Sequence, residues 1–378
     1  MRKLLIIGEF PAPYRVEVFA GIARKWNSKI YFEIEQDAQR TQEWLSRIAV
    51  DCMMLSTKKG KKQFWNDMKF IKDFDAAIIY NNSLKYSILL ELICKIRHIP
   101  FFLNCDGCND IEESNPLKKA VKSFLMRGAV GYFAGGQSAV KYFEYYGADS
   151  KRIHLHNFTS LHQEDINKKL LTDAEKNCLK EKIGMTGKFN VVTVGRHIEC
   201  KGFDIVLKAA EKIGKSVDFY IIGGEPSAEN KQYKEAHNLS NVHFVDFLGK
   251  DELREYYNAA DLFVLMTRGD TWGLVINEAM ANGLPVITTK RCVAGVELIK
   301  DGENGYIIDV DDTEALVNKI LTLRDNEELC RQMSLANINK MQTNTVDNIV
   351  KGHIQVLEGY IENVPSSTIF MYSKIDVV

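Results

Sequence analysis

Short apolar runs alternate with longer amphipathic stretches along nearly the whole chain of 378 residues. Runs this short and this uniformly apolar are typical of strands buried on both faces of a parallel sheet. The predicted strands of the first half are Lys3–Ile7, Ile30–Ile34, Asp75–Tyr80, Pro100–Cys105, Val130–Ala134 and Ile153–His156. Those of the second half are Asn190–Val194, Asp218–Ile222, Val242–Val245, Leu262–Met266, Pro285–Thr288 and Gly305–Ile308. Their alternation with helices predicts an α/β protein with doubly wound parallel sheets.

A polar, helix-like stretch from Leu161 to Gly187 separates the two sets of strands. The chain exceeds the roughly 100–200 residues of one domain, so we interpret this stretch as the connector between two Rossmann-like domains. We expect an N-terminal domain over residues 1–165 and a C-terminal domain over residues 166–345. Open α/β sheets bind ligands at the carboxyl ends of their strands, so functional residues are expected in the loops that follow strands, beside a cleft between the two sheets.

Composition narrows the classes of function. Of all residues, 46% are hydrophobic and 26% charged, and the formal net charge of −1 provides no global field for nucleic acid. No apolar run approaches the roughly 18 residues that span a bilayer, and the apolar start is too short for a signal peptide. We therefore expect a cytoplasmic protein with reduced cysteines. The basic runs Lys58–Lys62 and Lys118–Arg127 indicate either a solvated surface or peripheral contact with an anionic membrane.

Two cations follow the first predicted strand of the C-terminal half. Gly195 permits a turn there, and Arg196 and Lys201 precede a helix that is predicted to begin near Gly202. The planar donors of arginine, the point charge of lysine and the positive end of a helix together suit a phosphate group. Alternatively, the two residues are ordinary charges on a surface loop.

Two further loops follow predicted strands in the same half. Gly223 and Gly224 let the backbone approach a ligand closely, although a tight turn explains a glycine pair equally well. Phe247 and Leu248 form an apolar loop before a helix, which can hold a planar base or pack in the core.

A charged pair brackets the start of a helix after the strand Leu262–Met266. Asp270 precedes the predicted helix Val275–Ala281, and Glu278 lies about one turn into it. The N–H groups of the first turn favour an anion such as a diphosphate, and the residues expected to contact it are Thr271, Trp272, Gly273 and Leu274. The alternative is that Asp270 simply caps the helix. Glu278 is placed to accept hydrogen bonds from ribose hydroxyls.

These motifs, together with residues 255–287 and 298–309, resemble in order those of family 4 retaining glycosyltransferases of the GT-B fold. The resemblance implies two Rossmann-like domains, with a C-terminal segment over 346–378 packing back on the first. The family's pair of glutamates eight positions apart corresponds to Asp270 and Glu278, with the first replaced by aspartate. By resemblance, Glu278 holds the nucleotide ribose, Asp270 lies by the donor sugar, and Arg196 and Lys201 neutralise the diphosphate.

The N-terminal half resembles the family more loosely. Tyr14 and Arg15 follow the first strand and are similar to the opening of a bacterial surface-polysaccharide branch, which places them on the acceptor side. Arg15 could instead interact only with its own helix. Asp106 stands where many relatives have a histidine near the reacting sugar, so it is a candidate catalytic residue beside Asp270, Arg196 and Lys201. Whether it replaces that histidine stays open.

The resemblance implies a retaining hexosyltransferase that uses a nucleotide-diphosphate sugar, with UDP as the expected carrier. The expected acceptor is a glycan or a polyprenyl-linked glycan in capsule or exopolysaccharide synthesis. Fixed cations and helix-end N–H groups can stabilise a leaving diphosphate, so no metal or further cofactor is expected. Two alternatives remain: a non-catalytic nucleotide-sugar-binding partner of another transferase, and a GT-B sugar-nucleotide epimerase.

Overall fold

The computed structural model describes residues 2–34, 50–109 and 113–363. The chain forms two compact units within this part. One contains the residues up to Ser160 and resumes at Val346, and the other is the continuous segment Leu161–Thr345.

In the N-terminal unit, the described residues form a parallel sheet of seven strands in the order β3-β2-β1-β4-β5-β6-β7. The strands are β1 (Lys3–Gly8), β2 (Asn27–Phe32), β3 (Met53–Met54), β4 (Ala76–Tyr80), β5 (Phe101–Cys105), β6 (Gly131–Ala134) and β7 (Ile153–Leu155). Strand β2 begins three residues earlier than predicted because its first residues are polar and lack the apolar pattern. The strand β3 was not predicted, since two residues are too few for a pattern.

Helices cover both faces of this sheet. They are α1 (Pro13–Ala23), α2 (Lys58–Lys69), α3 (Lys85–Arg97), α4 (Pro116–Met126) and α5 (Gln137–Tyr145). Phe64 of α2 and Leu90 of α3 are fully buried in the core on one face, and Phe19 of α1 is fully buried in the core on the other. Burial on both faces explains the continuously apolar strands of this unit.

The C-terminal unit contains a parallel sheet of six strands, in the order β10-β9-β8-β11-β12-β13 among its described residues. The strands are β8 (Asn190–Val194), β9 (Asp218–Ile222), β10 (Val242–Val245), β11 (Leu262–Leu265), β12 (Val286–Thr289) and β13 (Gly305–Ile308). The helices are α6 (Asp173–Ile183), α7 (Phe203–Ile213), α8 (Ala228–Ala236), α9 (Lys250–Ala259), α10 (Leu274–Ala281), α11 (Val293–Leu298), α12 (Thr313–Arg324) and α13 (Glu327–Met341). Four of the six strands have the predicted bounds, and the other two differ by one residue.

The predicted connector is part of the C-terminal unit. Its helix α6 is anchored by two lysines, because Lys176 and Lys180 reach the carboxylate of Asp261 at 3.2 and 3.3 Å. A Thr172–Glu175 capping box fixes the start of the helix.

A last helix, α14 (Val346–Asn363), packs against α1 in the N-terminal unit. The two helices approach closely at Gly21, where an added Cβ would lie 2.5 Å from a methyl group of Val350. Within the described part of the chain, no helix combines the length and apolar character needed to cross a bilayer.

We predict opposite effects for two glycine-to-alanine changes in these helices. Gly21→Ala should destabilise the fold by about 1–3 kcal/mol, because the new methyl group forces α1 and α14 apart. Gly352→Ala should stabilise it by about 0.5–1 kcal/mol, because no atom lies within 4 Å of the added Cβ and alanine favours the helix. Urea unfolding followed by circular dichroism measures both. Equal effects at the two positions would contradict the close contact.

Candidate functional site

The loop after β8 brings Lys201 to the end of a neighbouring strand. Lys201 closes a short 3-10 turn, and the following Gly202 has a left-handed φ of 66°. A Cβ at Gly202 would lie 2.0 Å from the carbonyl oxygen of Met266, so the loop fits against the end of β11 only with glycine here. Arg196, five residues earlier, is exposed.

Lys201 and Asp270, which are 69 residues apart in sequence, form an ion pair at this place. The Lys201 Nζ lies 2.5 Å from the Asp270 Oδ2, and each side chain is 16% exposed. The structure therefore joins the cation predicted for the diphosphate to the acid predicted for the sugar.

Asp270 also acts as a local cap. Its Oδ1 accepts a hydrogen bond from the Trp272 N–H at 3.3 Å, and its own N–H donates to the Arg291 carbonyl at 3.0 Å. The two interpretations of Asp270, cap and cleft residue, are thus both compatible with its geometry. The Asp270 Oδ1 accepts a hydrogen bond from the backbone, and the Oδ2 pairs with Lys201.

Helix α10 begins at Leu274, one residue before the predicted start at Val275, so Trp272 and Gly273 lie outside the helix and are not part of its first turn. Gly273 before it has a left-handed φ of 98°, so the regular helix cannot extend to this residue, and no described side chain caps the start of α10. The Trp272 N–H is already engaged by Asp270, and its indole N–H donates to Asn277 at 2.9 Å. Donors for an anion must therefore come from the backbone that starts at Gly273 and Leu274, beside the exposed Thr271.

Glu278 is held by a residue that the sequence did not single out. The Tyr257 hydroxyl on α9 donates to the Glu278 Oε2 at 3.0 Å. Burial raises the pKa of Glu278 to about 7, while the Tyr257 hydrogen bond and the charge of Lys250 oppose the rise and Asp165 adds to it. Tyr257 is 2% exposed and looks like an ordinary core residue of its helix, so the sequence gives no signal of this role.

The two glycines after β9 have different surroundings. A Cβ at Gly223 would lie 1.8 Å from the carbonyl oxygen of Gly195, which makes glycine necessary where the β8 and β9 loops meet. Gly224 has a left-handed φ of 94° and open space around it. In the loop that follows β10, Phe247 is 58% exposed and Leu248 is half-buried.

His197 packs between two aromatic rings in the β8 loop. Its ring centroid lies 4.9 Å from that of Phe203 and 5.7 Å from that of Phe244. Burial lowers the pKa of His197, and neither ring nitrogen has a hydrogen-bond partner among the described residues. It therefore acts as a packing residue next to Arg196.

The predicted acceptor-side residues of the N-terminal unit also meet. Arg15 forms an ion pair with Asp106, with side chains 13% and 21% exposed, and its guanidinium lies 4.6 Å from the ring centroid of Tyr80. Burial lowers the pKa of Arg15, but the charge of Asp106 and its hydrogen bond, together with Tyr14 and Tyr80, outweigh burial and raise the pKa above its ordinary value. Tyr14 packs edge-on against Phe158 at 5.2 Å. The alternative in which Arg15 serves only its own helix is wrong, because its partner lies on the β5 loop.

Two histidines extend this polar cluster. Burial lowers the pKa of His156 and of His353 to about 3, so both rings are neutral near pH 7. The His353 Nδ1–H donates to the Ile349 carbonyl at 2.9 Å, which leaves its Nε2 to accept from the Tyr80 hydroxyl at 3.2 Å.

The tautomer of His156 follows in the same way. The Asn104 amide nitrogen donates to Asp106 at 2.8 Å, so its oxygen faces the His156 Nε2 at 3.3 Å and must accept from it. The Nδ1 of His156 is then a buried acceptor without a partner among the described residues. Neither histidine was among the predicted site residues. His353 lies on the distant helix α14, and no local motif marks it.

The chain is similar to known proteins in its sequence and in its fold. Residues 188–326 match the family model of glycosyl transferases group 1. The chain is 39% identical over 100 residues to the N-acetyl-alpha-D-glucosaminyl L-malate synthase of Bacillus anthracis, which covers 25% of the chain and 26% of that protein. It is 32% identical over 131 residues to the lipopolysaccharide core biosynthesis glycosyltransferase LpsE of Rhizobium meliloti, which covers 34% of the chain and 38% of that protein. The chain thus matches less than half the length of these two relatives.

Among solved structures, Anabaena Alr3699/HepE in complex with UDP and glucose superposes with a TM-score of 0.72 at 18% identity. The superposition covers 96% of this chain and 100% of that one. This likeness, with the two parallel sheets of seven and six strands, confirms the predicted GT-B fold class. The match to the family model of glycosyl transferases group 1, residues 188–326, lies within the C-terminal unit.

We predict that Glu278→Gln changes stability in a pH-dependent way. Because the pKa of Glu278 is raised in the folded protein, its ionisation lowers the free energy of unfolding as pH rises from the pKa of the unfolded chain toward about 7. Below the pKa of the unfolded chain, the carboxyl group is protonated in both states and this cost is absent. The glutamine variant should therefore be more stable than the parent at pH 8, by about 1–2 kcal/mol after allowance for partial exposure, and similar at pH 4. Thermal unfolding at the two pH values measures this. A constant difference at both would contradict the buried carboxyl.

We also predict strong coupling between Arg15 and Asp106. Asp106→Asn should cost about 2–4 kcal/mol, because a buried guanidinium loses its counter-charge. The double variant Arg15→Met/Asp106→Asn should lose less than the sum of the single changes in urea unfolding. As a control, the same cycle at the exposed pair Lys212–Glu314 should show coupling below about 1 kcal/mol. Additive losses at Arg15 and Asp106 would contradict the pairing.

Proposed function

We propose that this protein is a retaining glycosyltransferase of family 4 that moves a hexose from a UDP-linked sugar to a glycan or lipid-linked acceptor. The observation that carries the proposal is the Lys201–Asp270–Glu278 arrangement, which lies inside the segment that matches glycosyl transferases group 1. UDP is proposed because a neighbour of the same fold was solved with UDP and glucose.

In the proposed donor site, the diphosphate binds to Lys201, Arg196 and the N–H groups at the start of α10. As the bond from the sugar carbon to the diphosphate breaks, negative charge grows on the leaving oxygen, and fixed cations stabilise it without a metal. The ion pair with Asp270 holds the Lys201 ammonium in place before the donor arrives, so little reorganisation is needed.

Asp270 and Glu278 divide the remaining contacts. Asp270 is proposed to accept hydrogen bonds from hydroxyls of the donor sugar, and the replacement of the family's glutamate by aspartate shortens its reach by one methylene. Its position beside the diphosphate cation Lys201 supports this role. Glu278, oriented by Tyr257, is proposed to accept hydrogen bonds from the ribose, and Gly223, Gly224, Phe247 and Leu248 to contact the rest of the nucleotide.

On the acceptor side, Tyr14 and Arg15 are proposed to bind the incoming glycan. Asp106 is engaged by Arg15 and Asn104, so a role in orienting Arg15 fits it better than proton transfer. The similarity to a lipopolysaccharide core glycosyltransferase supports surface polysaccharide synthesis as the setting. We place the protein in the cytoplasm, in peripheral contact with the inner face of the plasma membrane.

The proposal predicts release of a nucleoside diphosphate from one member of a panel of nucleotide sugars, measured by mass spectrometry. Lys201→Ala should lower kcat/KM at least about 100-fold, because it removes charge stabilisation of the leaving group. Glu278→Ala should mainly raise KM. Lys208→Ala, a partly exposed lysine of α7, is the matched control and should behave like the parent.

The outcomes separate the competing interpretations. If no donor binds, or if Lys201→Ala and Glu278→Ala behave like the parent, the proposal fails. Binding without release of diphosphate with any acceptor would indicate a non-catalytic partner. Interconversion of the donor sugar would indicate an epimerase.

A further inference from the structure

Arg268 lies two residues before Asp270, in the loop that follows β11. Its backbone N–H donates to the Cys200 carbonyl at 2.7 Å, and its side-chain Nη1 donates to the Glu199 carbonyl at 2.7 Å. These two carbonyls belong to the residues directly before Lys201. The loop that carries Asp270 and the turn that carries Lys201 are therefore joined by more than their ion pair.

The guanidinium of Arg268 also reaches the helix that follows Lys201. Its Nη1 and Nη2 donate to the two oxygens of Asp204, in the first turn of α7, at 3.0 and 2.9 Å. Since Lys201 lies between Glu199 and Asp204 in sequence, one side chain holds the chain on both sides of it. The planar fork of arginine can make these bonds together, whereas the compact ammonium of a lysine cannot span them.

The same guanidinium binds a further loop. Its Nε donates to the Asp311 Oδ1, between β13 and α12, at 2.8 Å. The side-chain bonds to Glu199, Asp204 and Asp311 use four of the five guanidinium N–H groups, and two of these partners are carboxylates that neutralise its charge. We therefore expect Arg268 to act on a ligand through its neighbours and not by binding a phosphate itself.

Thr267 holds the same loop by bonds that do not involve the Arg268 side chain. Its buried hydroxyl donates to the Cys200 carbonyl at 2.8 Å and accepts from the Gly269 N–H at 3.2 Å. Its own carbonyl accepts from the Thr289 hydroxyl at 2.5 Å. The loop should consequently stay folded when the side chain of Arg268 is changed.

Without that side chain, the turn that carries Lys201 is attached to the loop of Asp270 at the Cys200 carbonyl. The turn can pivot around this point, and the flexible stem of lysine lets the ammonium follow Asp270 at several backbone separations. Misplacement of a group by about 1 Å can lower a reaction rate about 100-fold. The guanidinium bonds on both flanks of the turn remove this pivot.

We propose that Arg268 is a positioning residue, which fixes the backbone separation of Lys201 and Asp270 and so places the Lys201 ammonium against the leaving diphosphate. The role at the diphosphate rests on the proposed function, whereas the effect on the ion pair does not. The competing explanation is an ordinary surface ion pair, of the kind that contributes little to a structure. The bonds to the two carbonyls before Lys201 distinguish Arg268 from such a pair.

The first test needs no substrate. The coupling between Lys201→Met and Asp270→Asn is measured by urea unfolding of the full chain, once with Arg268 present and once in the Arg268→Met variant. We expect the coupling to fall by at least about half in that variant, because the turn is no longer held on both flanks. Unchanged coupling overturns the proposal.

The second test uses release of the nucleoside diphosphate. Arg268→Met should lower kcat at least about 30-fold and change the donor KM less than about threefold, since charge on the leaving oxygen grows in the transition state. In the Lys201→Ala background, the same change should lower kcat less than about threefold, because no ammonium is left to position. Equal losses in both backgrounds overturn the proposal, since they indicate a general structural role or a direct contact with the donor.

Arg324→Met is the matched control. The Arg324 side chain is 27% exposed, against 25% for Arg268, and its Nε and Nη2 donate to the two oxygens of Asp325 at 2.7 and 2.8 Å. Its Nη1 donates to Ser216, just before β9, so it lies at the amino ends of the strands and away from the candidate site. This variant should leave both kcat and the Lys201–Asp270 coupling unchanged.

Two further variants test the same bonds from other positions. Arg268→Lys keeps the charge but loses the fork, so it should behave like Arg268→Met. Asp204→Asn changes α7 and leaves the loop of Asp270 intact, and it should lower kcat about tenfold with the same dependence on Lys201. It decides the proposal even where a change of Arg268 prevents folding, because full activity of a folded Asp204→Asn variant overturns it.

Failure of this proposal is distinct from failure of the proposed function. If the parent releases no diphosphate from any donor, the proposed function fails, and the unfolding cycle alone decides the role of Arg268. If the parent is active and the coupling of Lys201 with Asp270 does not depend on Arg268, the positioning role fails and the proposed function stands.

Discussion

Burial of both sheet faces in each unit is the constraint on which the rest of the structure depends. A parallel strand covered on both sides has no free face for chemistry, so polar side chains collect at the loops beyond its carboxyl end. In the C-terminal unit, Lys201 and Asp270 meet there because β8 and β11 are neighbours in the sheet. In the N-terminal unit, Arg15 and Asp106 meet because the loops after β1 and β5 lie on the same edge. Each candidate site is thus a consequence of strand order.

Each candidate site contains an ion pair between partly buried side chains, Lys201 with Asp270 in the C-terminal unit and Arg15 with Asp106 in the N-terminal unit. A lone cation at the end of a buried strand would lose hydration without compensation, whereas an oppositely charged partner offsets part of that loss. The same pairing sets orientation, because Asp270 is also bonded to the Trp272 N–H and Asp106 to Asn104. A ligand entering either site therefore meets side chains that are already in place, at the cost of competing with their existing partners.

The sequence predicted the C-terminal unit better than the N-terminal one, for physical reasons. The strands β8 to β13 are short and uniformly apolar, and their loops contain glycines that close backbone contacts require, such as Gly223 against Gly195. By contrast, β3 is too short for any periodicity, and the polar start of β2 hides its register. Tyr257 and His353 reach the candidate sites from helix faces that look like ordinary core. The pairing of Lys201 with Asp270 spans 69 residues, so strand order was needed to see it.

The position of α14 has a consequence for the order of folding. The core on one face of the N-terminal sheet includes Ile349, Val350 and Leu357, which the ribosome makes after the entire second unit. The segment Leu161–Thr345 is continuous and can complete its own core while α14 is still being synthesised. The first unit in sequence is therefore the last to be completed. Until then, the α1 surface around Gly21 is exposed, and the nascent chain depends on the late helix to cover it.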